Sequence, residues 1–125
     1  MNERYKRNIL LKEIGQAGQE KLYKAKVLVV GAGGLGAPLL YYLAAAGVGH
    51  INIIDDDIIE ENNLQRQVIF TEADIDKPKA EIAAQRLKQL NKNINVQAIS
   101  KRLSAANIIN YINEVDIVAD CSDNF

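Results

Sequence analysis

Residues 26–36 constrain this chain more than any other stretch: Lys26-Val27-Leu28-Val29-Val30 runs directly into Gly31-Ala32-Gly33-Gly34-Leu35-Gly36. Four consecutive apolar residues that stop at a glycine read as a short strand buried on both faces. The glycines fit the pattern G-x-G-x-x-G. Lacking side chains, they permit positive φ angles and close backbone approach, so main-chain N–H groups and the dipole of a following helix can face a phosphate. That helix is legible next, with Leu39, Leu40, Leu43 and Ala44 at helical spacing, Pro38 tolerated in its first turn and Gly47 available to end it. A second apolar run, Ile51 to Ile54, ends at Asp55, Asp56 and Asp57. Asp55 follows Gly31 at close to the roughly 20-residue separation of a ribose-binding carboxylate. Gly31, Gly33, Gly34, Gly36 and Asp55 are therefore candidate nucleotide-binding residues.

The remaining pattern extends the same alternation. Residues 4–24 carry Tyr5, Ile9, Leu10, Ile14 and Leu22 among charged neighbours, with Gly15 and Gly18 interrupting, which predicts two short helical pieces forming an amino-terminal arm. Between Ile58 and Asp76 there is no clean period; residues 63–67 form one expected helical turn within a loop long enough to be functional. Asp76 is expected to cap a helix with Pro78 in its first turn and Ala80, Ala83, Leu87 and Leu90 along one face. Val96 to Ile99 reads as a third strand. Ser104 is expected to cap a helix through Ile108, Ile109 and Ile112, and Val115 to Ala119 to form a fourth strand ending at Asp120. Strands alternating with helices predict one α/β domain over residues 1–125: a Rossmann-like, doubly wound, mainly parallel sheet of order 3-2-1-4 with helices on both faces. Ligands of such a sheet bind outside the carboxyl ends of its strands, which directs attention to Gly31, Asp55 and Cys121.

Composition narrows the function. With 15 Lys and Arg against 16 Asp and Glu, the net charge of −1 provides no broad basic field for nucleic acid or an anionic membrane surface. No apolar run approaches 18 residues, and the charged start Met1-Asn2-Glu3-Arg4 is unlike a signal sequence, so a cytoplasmic protein is expected. Cys121 is the single cysteine, too few for a disulfide or a structural zinc site, and it reads as a small, partly buried residue.

The glycine turn and Asp55 leave a dinucleotide and a triphosphate both open. Residues that a dehydrogenase would not need point toward the triphosphate. Arg66 and Lys79 fall in or just after the long segment, where they can return to phosphates, and Asp123 follows the fourth strand, where it can hold a divalent ion. Each also has an ordinary reading: solvated surface cations, and a carboxylate capping a turn. Lys79 is placed in a helix first turn, where the dipole disfavours it.

A set of strings then runs in order over nearly the whole chain: Arg4-Tyr5-Lys6-Arg7, Gly18-Gln19-Glu20-Lys21-Leu22, Gly31 to Gly36, Ala45-Ala46-Gly47-Val48-Gly49, Asn63-Leu64-Gln65-Arg66-Gln67, Pro78-Lys79-Ala80 and Asp120-Cys121-Ser122-Asp123-Asn124. Together they resemble the amino-terminal part of the ThiF/MoeB/HesA family, bacterial relatives of ubiquitin-activating enzymes. The resemblance implies that Gly34 lines the phosphates, Asp55 binds the ribose, and Asn63, Arg66 and Lys79 contact the triphosphate of ATP. It implies that Asp123 faces magnesium with Asn124 beside it, and that Gln67 and Asp57 are further candidates. Arg7 matches an arginine that reaches into a neighbouring subunit's ATP site, which implies a homodimer. The implied reaction is ATP-dependent adenylylation of the carboxyl-terminal glycine of a small ubiquitin-like sulfur carrier of the ThiS/MoaD type, for thiamine or molybdopterin biosynthesis. Such a carboxylate is already ionised near pH 7, so no histidine base is needed, and His50 reads as structural or exposed.

Asp56 and Asp76-Lys77 depart from the family pattern, which more often has an apolar or aromatic residue at the first position and a glycine-bearing turn at the second. Residues 74–79 lean slightly toward the thiamine branch. Family members also continue through further strands, a crossover loop often bearing a cysteine and, in many, two C-x-x-C pairs for zinc; a truncated chain is therefore expected, with zinc only in a missing carboxyl-terminal part. Two other readings stay open: an NAD-dependent oxidoreductase resting on the glycine turn and Asp55, and a catalytically silent nucleotide-binding or dimerisation fragment.

Overall fold

The computed structural model describes residues 3–122. Four strands, β1 (Lys26–Val30), β2 (His50–Ile54), β3 (Asn95–Ile99) and β4 (Ile117–Asp120), pair in parallel in the order β3-β2-β1-β4, as the alternating pattern predicts. Val27 lies opposite Ile51 and Ile117, and Ile51 opposite Val96. Side chains alternate along a strand, so Val27, Val29, Ile51, Ile53 and Val96 share one face, and all five are buried. Against them pack α3 (Gly36–Ala46) and α4 (Lys79–Leu90), which contribute Leu40, Ala44, Ala80, Ala83 and Leu87 to the same core. The crossover from β3 to β4 steps back past two strands. A right-handed connection in that direction places its helix, α5 (Ile108–Ile112), on the opposite face. There Asn110 and Tyr111 line a cleft with Lys26, Asn52 and Gln97, so this second face is partly polar.

A 3-10 turn at Glu3–Tyr5, then α1 (Lys6–Leu10) and α2 (Gly15–Lys24), form the arm. Only Gly15 breaks it, at φ 58; Gly18 lies inside α2. The arm seats where the strands begin, with the N–H groups of Gly49 and His50 donating to the carbonyls of Leu22 and Ala25. Gly47 ends α3 in the left-handed conformation, as expected of a helix-terminating glycine.

The largest departures from the sequence pattern are at caps. Asp76 does not cap α4. Its φ is 72, and its N–H donates to the carbonyl of Ile59, so it is the left-handed residue of a turn, the conformation that favours glycine at such a position. Pro78, not Asp76, stands at the N-cap, and the helix starts at Lys79. Ser104 supplies its carbonyl, not its hydroxyl, to the turn before α5, whose N-cap is Asn107. The fourth strand begins at Ile117 because Asp116 is held by Lys26 on both sides: the Lys26 N–H donates to Asp116 Oδ2 at 2.9 Å, and the Asp116 N–H to the Lys26 carbonyl at 2.8 Å. β4 pairs only with β1 among the described strands, and its Ile117 and Val118 are exposed.

Between Ile58 and Pro78 the chain is organised, not loose. An antiparallel bridge joins these two residues, 3-10 turns form at Glu61–Asn63 and Glu72–Asp74, and Ile59, Ile69 and Phe70 join the core. The two turns are closed by reciprocal caps: the Glu60 N–H donates to Asn63 Oδ1 at 2.9 Å, and the Thr71 N–H to Asp74 Oδ2 at 2.8 Å. Asp74 also accepts the Arg86 guanidinium at 2.6 and 2.8 Å, which ties the loop to α4.

Candidate active site

The carboxyl ends of all four strands open on one cleft of about 390 Å³. Its glycine turn is shaped by its own backbone before any ligand is considered. Gly31 has φ 97, and a Cβ there would lie 2.8 Å from the Cys121 carbonyl oxygen; at Gly36 a Cβ would lie 1.9 Å from the Gly31 carbonyl oxygen. Only glycine permits so tight a fold-back between β1 and α3. Gly34 is different: the nearest atoms to its Cβ position are Arg66 Cδ and Nε at 3.8 Å. Gly33 lines the cleft.

Asp55, at the end of β2, joins the turn to the rest of the site. Its Oδ2 accepts the Ala32 N–H at 2.8 Å, and its Oδ1 accepts the Asp57 N–H at 2.8 Å. Each carboxylate oxygen keeps a second lone pair for a hydroxyl donor such as ribose. Burial, aided by the Asp57 charge, pushes the Asp55 carboxyl above its ordinary 3.8, against the pull of the two N–H groups and the Lys79 charge. Protonation removes an acceptor, so affinity for adenosine, which carries no phosphate, should fall as pH drops through this raised value. Linkage to folding has the opposite sign: the native state holds this proton more tightly than the unfolded chain, so protonating Asp55 favours the fold. Adenosine titrations from about pH 7 to about 4, followed alongside circular dichroism, should show binding lost ahead of structure, with a flat profile in Asp55→Asn. Parallel loss of binding in both proteins would refute the assignment.

Two cations stand about the site, Arg66 on the organised loop and Lys79 at the start of α4. Arg66 is exposed, donates from Nη1 to the Asn62 carbonyl at 3.1 Å, and lies across Gly34. Lys79 opens α4, is only 6% exposed and lines the cleft, with Nζ 3.8 Å from Asp57 Oδ2 and its N–H donating to the Asp57 carbonyl. Its charge is met within the chain by Asp57, and its place in the cleft lining leaves it beside any phosphate bound there. Asn63 is buried, capping the turn that carries Arg66 and accepting the Arg66 and Gln67 N–H groups on its carbonyl. Gln67 is 1% exposed, outside the cleft lining, and its Oε1 has no hydrogen-bond partner among the described residues. Asp123 and Asn124 lie outside the described residues. Arg7 is exposed on α1, at the opposite end of the sheet from the cleft.

The sequence motifs point to the ends of β1, β2 and β4 and not to that of β3. Lys101, Arg102 and Leu103, which follow β3, also line the cleft. The order 3-2-1-4 contained the signal. A nucleotide with phosphates at β1 and ribose at β2 places its base toward β3. Cys121 lines the cleft, but burial, with the Asp120 charge adding to it, pushes its thiol above the ordinary value, away from thiolate chemistry. His50 opens β2 at the end remote from the cleft and stacks obliquely near Tyr23, ring centroids 6.4 Å apart.

A glycine turn between strand and helix, a carboxylate at the next strand end, an arginine across the turn and a lysine in the cleft define a doubly wound nucleotide-binding domain. The chain belongs to the ThiF family, whose sequence profile matches residues 5–125. It is 47% identical over 121 residues to the sulfur carrier protein ThiS adenylyltransferase of Escherichia coli, covering 97% of this chain and 48% of that protein. It is 46% identical over 123 residues to a sulfur carrier protein adenylyltransferase of Thermus thermophilus, covering 98% of this chain and 45% of that one. Among solved structures, Escherichia coli MccB with ATP superposes with a TM-score of 0.85 at 36% identity, covering 98% of this chain and 38% of that chain. The chain thus spans about half the length of these two relatives and less of others that it matches. Among the described residues no helix is long and apolar enough to cross a membrane.

Proposed function

We propose that the protein uses ATP to adenylylate the carboxyl-terminal carboxylate of a small ubiquitin-like sulfur carrier of the ThiS/MoaD type, in the cytoplasm, for thiamine or molybdopterin biosynthesis. The observation that carries this reading is a cation at each of two places: Arg66 lies across Gly34 of the turn, outside the cleft lining, and Lys79 lines the cleft beside Asp57. Names borne by relatives at 46–47% identity support the same reading. In the reaction a carrier carboxylate oxygen bonds to the α-phosphorus, the bond from that phosphorus to the bridging oxygen breaks, and pyrophosphate leaves. No proton has to be removed from the nucleophile. The site's task is to fix the nucleotide in line and to offset negative charge, which suits fixed N–H groups and cations. Asp55 would hold the ribose and the glycine turn the phosphates, with the base toward Leu103.

Magnesium, a hard cation, fits the carboxylate chemistry of this cleft, where Asp55, Asp56 and Asp57 present oxygens within 4.8 Å of one another. Asp123 would hold it, and it would neutralise phosphate charge. Arg7 cannot reach the cleft of its own chain from the far end of the sheet; a homodimer that brings α1 to a second copy's cleft gives it a role.

Exchange of labelled pyrophosphate into ATP, dependent on the carrier, tests the reading; a whole protein without it, given its carrier, would overturn it. Hydride transfer with NAD rests on the glycine turn and Asp55 alone and predicts NADH binding indifferent to magnesium. Calorimetry with NADH and with Mg-ATP separates the two, and a silent module would bind ATP without exchange.

A further inference from the structure

Among the described residues the Arg66 guanidinium hydrogen-bonds the Asn62 carbonyl alone, within its own turn. Its position across Gly34 is therefore set by the segment that carries it. From Arg66 that segment runs through two turn bonds, the Gln67 N–H to the Asn63 carbonyl and the Phe70 N–H to the Gln67 carbonyl, into the turn closed by Thr71 and Asp74. Ile59, Ile69 and Phe70 bury it against the core, but apolar contact is non-directional and does not by itself fix a place. The directional tie is Asp74. Arg86 Nη2 bridges both its oxygens at 2.6 and 2.8 Å, while Oδ2 also accepts the Thr71 N–H at 2.8 Å and the Thr71 hydroxyl at 3.0 Å. Burial opposes the Asp74 charge, but the Thr71 bonds and the Arg86 charge outweigh it and hold the carboxyl below its ordinary 3.8.

Asp74 is 3% exposed, and the Arg86 side chain is 25% exposed. An ion pair taken this far out of water contributes little net stability, and an apolar pair of similar volume would serve the core as well. What the charges add is a fixed geometry. Arg86 stands on α4 about two turns beyond Lys79, so the tie joins the segment bearing one cation to the helix that starts with the other. We propose that Asp74 and Arg86 are positioning residues, whose ion pair sets the place of Arg66 across the glycine turn relative to Lys79 and so fits the two cations to one bound triphosphate. This rests on the reading above that ATP occupies the cleft.

The test uses the whole protein with both partners replaced, Asp74→Asn together with Arg86→Met. Asn keeps an oxygen to accept from Thr71, and Met keeps an apolar stem on α4. Calorimetry with adenosine and with ATP, each in the presence of magnesium, separates position from folding, since adenosine has no phosphate for either cation to meet. Adenosine affinity should be unchanged, while the advantage of ATP over adenosine and the rate of pyrophosphate exchange should each fall about 10- to 100-fold, the scale of a misplacement near 1 Å. In an Arg66→Ala background the same double replacement should cost little more, because the tie then has nothing to position. Equal losses for adenosine and ATP, no loss for either, or losses that add to that of Arg66→Ala overturn the proposal, as does a wild-type protein that binds ATP no better than adenosine. Should circular dichroism show the double variant unfolded, Arg86→Lys keeps the charge with a single point of contact, and the same split between ATP and adenosine is expected at a smaller size; its absence there overturns the proposal equally. Absence of exchange in the wild-type protein would instead refute the adenylylation reading and leave the two affinities to decide this one.

Discussion

Lys79→Ala should lower carrier-dependent pyrophosphate exchange by about 100- to 1,000-fold, the range for losing one preorganised charge-stabilising donor, equivalent to about 3 to 4 kcal/mol. It should do so with little loss of fold stability. Lys79 is 6% exposed at the start of α4, where desolvation and the helix dipole both work against its charge, and its ion pair is with an exposed aspartate that adds little. Losing the side-chain stem offsets part of that relief. Activity and the unfolding midpoint should therefore separate. Arg66→Ala offers the cleaner comparison because its side chain is exposed and, among the described residues, hydrogen-bonds the Asn62 carbonyl alone. It should lose a similar factor with the midpoint unchanged. Exchange within threefold of wild type in both variants would remove the cations from the reaction.

Gly36→Ala should be the most damaging single methyl in the chain. Its Cβ would fall 1.9 Å from the Gly31 carbonyl oxygen, where ordinary contact begins near 3.4 Å, and both partners are backbone with no rotamer to relieve them. Gly31 is itself pinned at φ 97 against the Cys121 carbonyl. Relief requires α3 to move away from β1, at a cost above about 3 kcal/mol, roughly a 10 °C fall in midpoint for a domain of this size. ATP binding should vanish with it. Gly34→Ala is the counterpart: its nearest neighbours are 3.8 Å away, so the fold should be unaffected while ATP affinity falls from a methyl beside the phosphates. Thermal melts and calorimetry on the pair decide whether the turn's glycines serve the fold at one end and the ligand at the other; equal melting losses would contradict that division.

The parts of this fold legible from residues were those fixed by period. Val27 to Val30, Ile51 to Ile54 and the Ala80, Ala83, Leu87 face are hydrophobic patterns that admit one placement each, and their order fixes the sheet. Caps were harder because they depend on backbone path. Asp76 looks like a cap but adopts φ 72, and Ser104 contributes a carbonyl where its hydroxyl was expected. The organised loop had a readable signal in Glu60 and Asn63, and in Thr71 and Asp74, each pair three residues apart, yet hydrophobic period alone is blind to it. In the site, Gly31, Gly33, Asp55, Asp57 and Lys79 come together as the motifs suggest, whereas Lys101, Arg102 and Leu103 carry no motif and are recruited only by the position of β3. The seat of the arm joins Tyr5 to Asn91 across most of the chain, beyond any local pattern.

The edge at β4 has a practical consequence for handling these 125 residues by themselves. Ile117 and Val118 are 59% and 45% exposed on a strand paired along one side only among the described strands, and its sole charge is Asp120 at the far end. Such an edge is a template on which another chain can lay a strand, and neither a lysine nor a proline within β4 guards it. Concentration-dependent light scattering that subsides on dilution is the signature to expect, and a preparation showing it would be reporting on adhesive strand borders, not on a specific assembly.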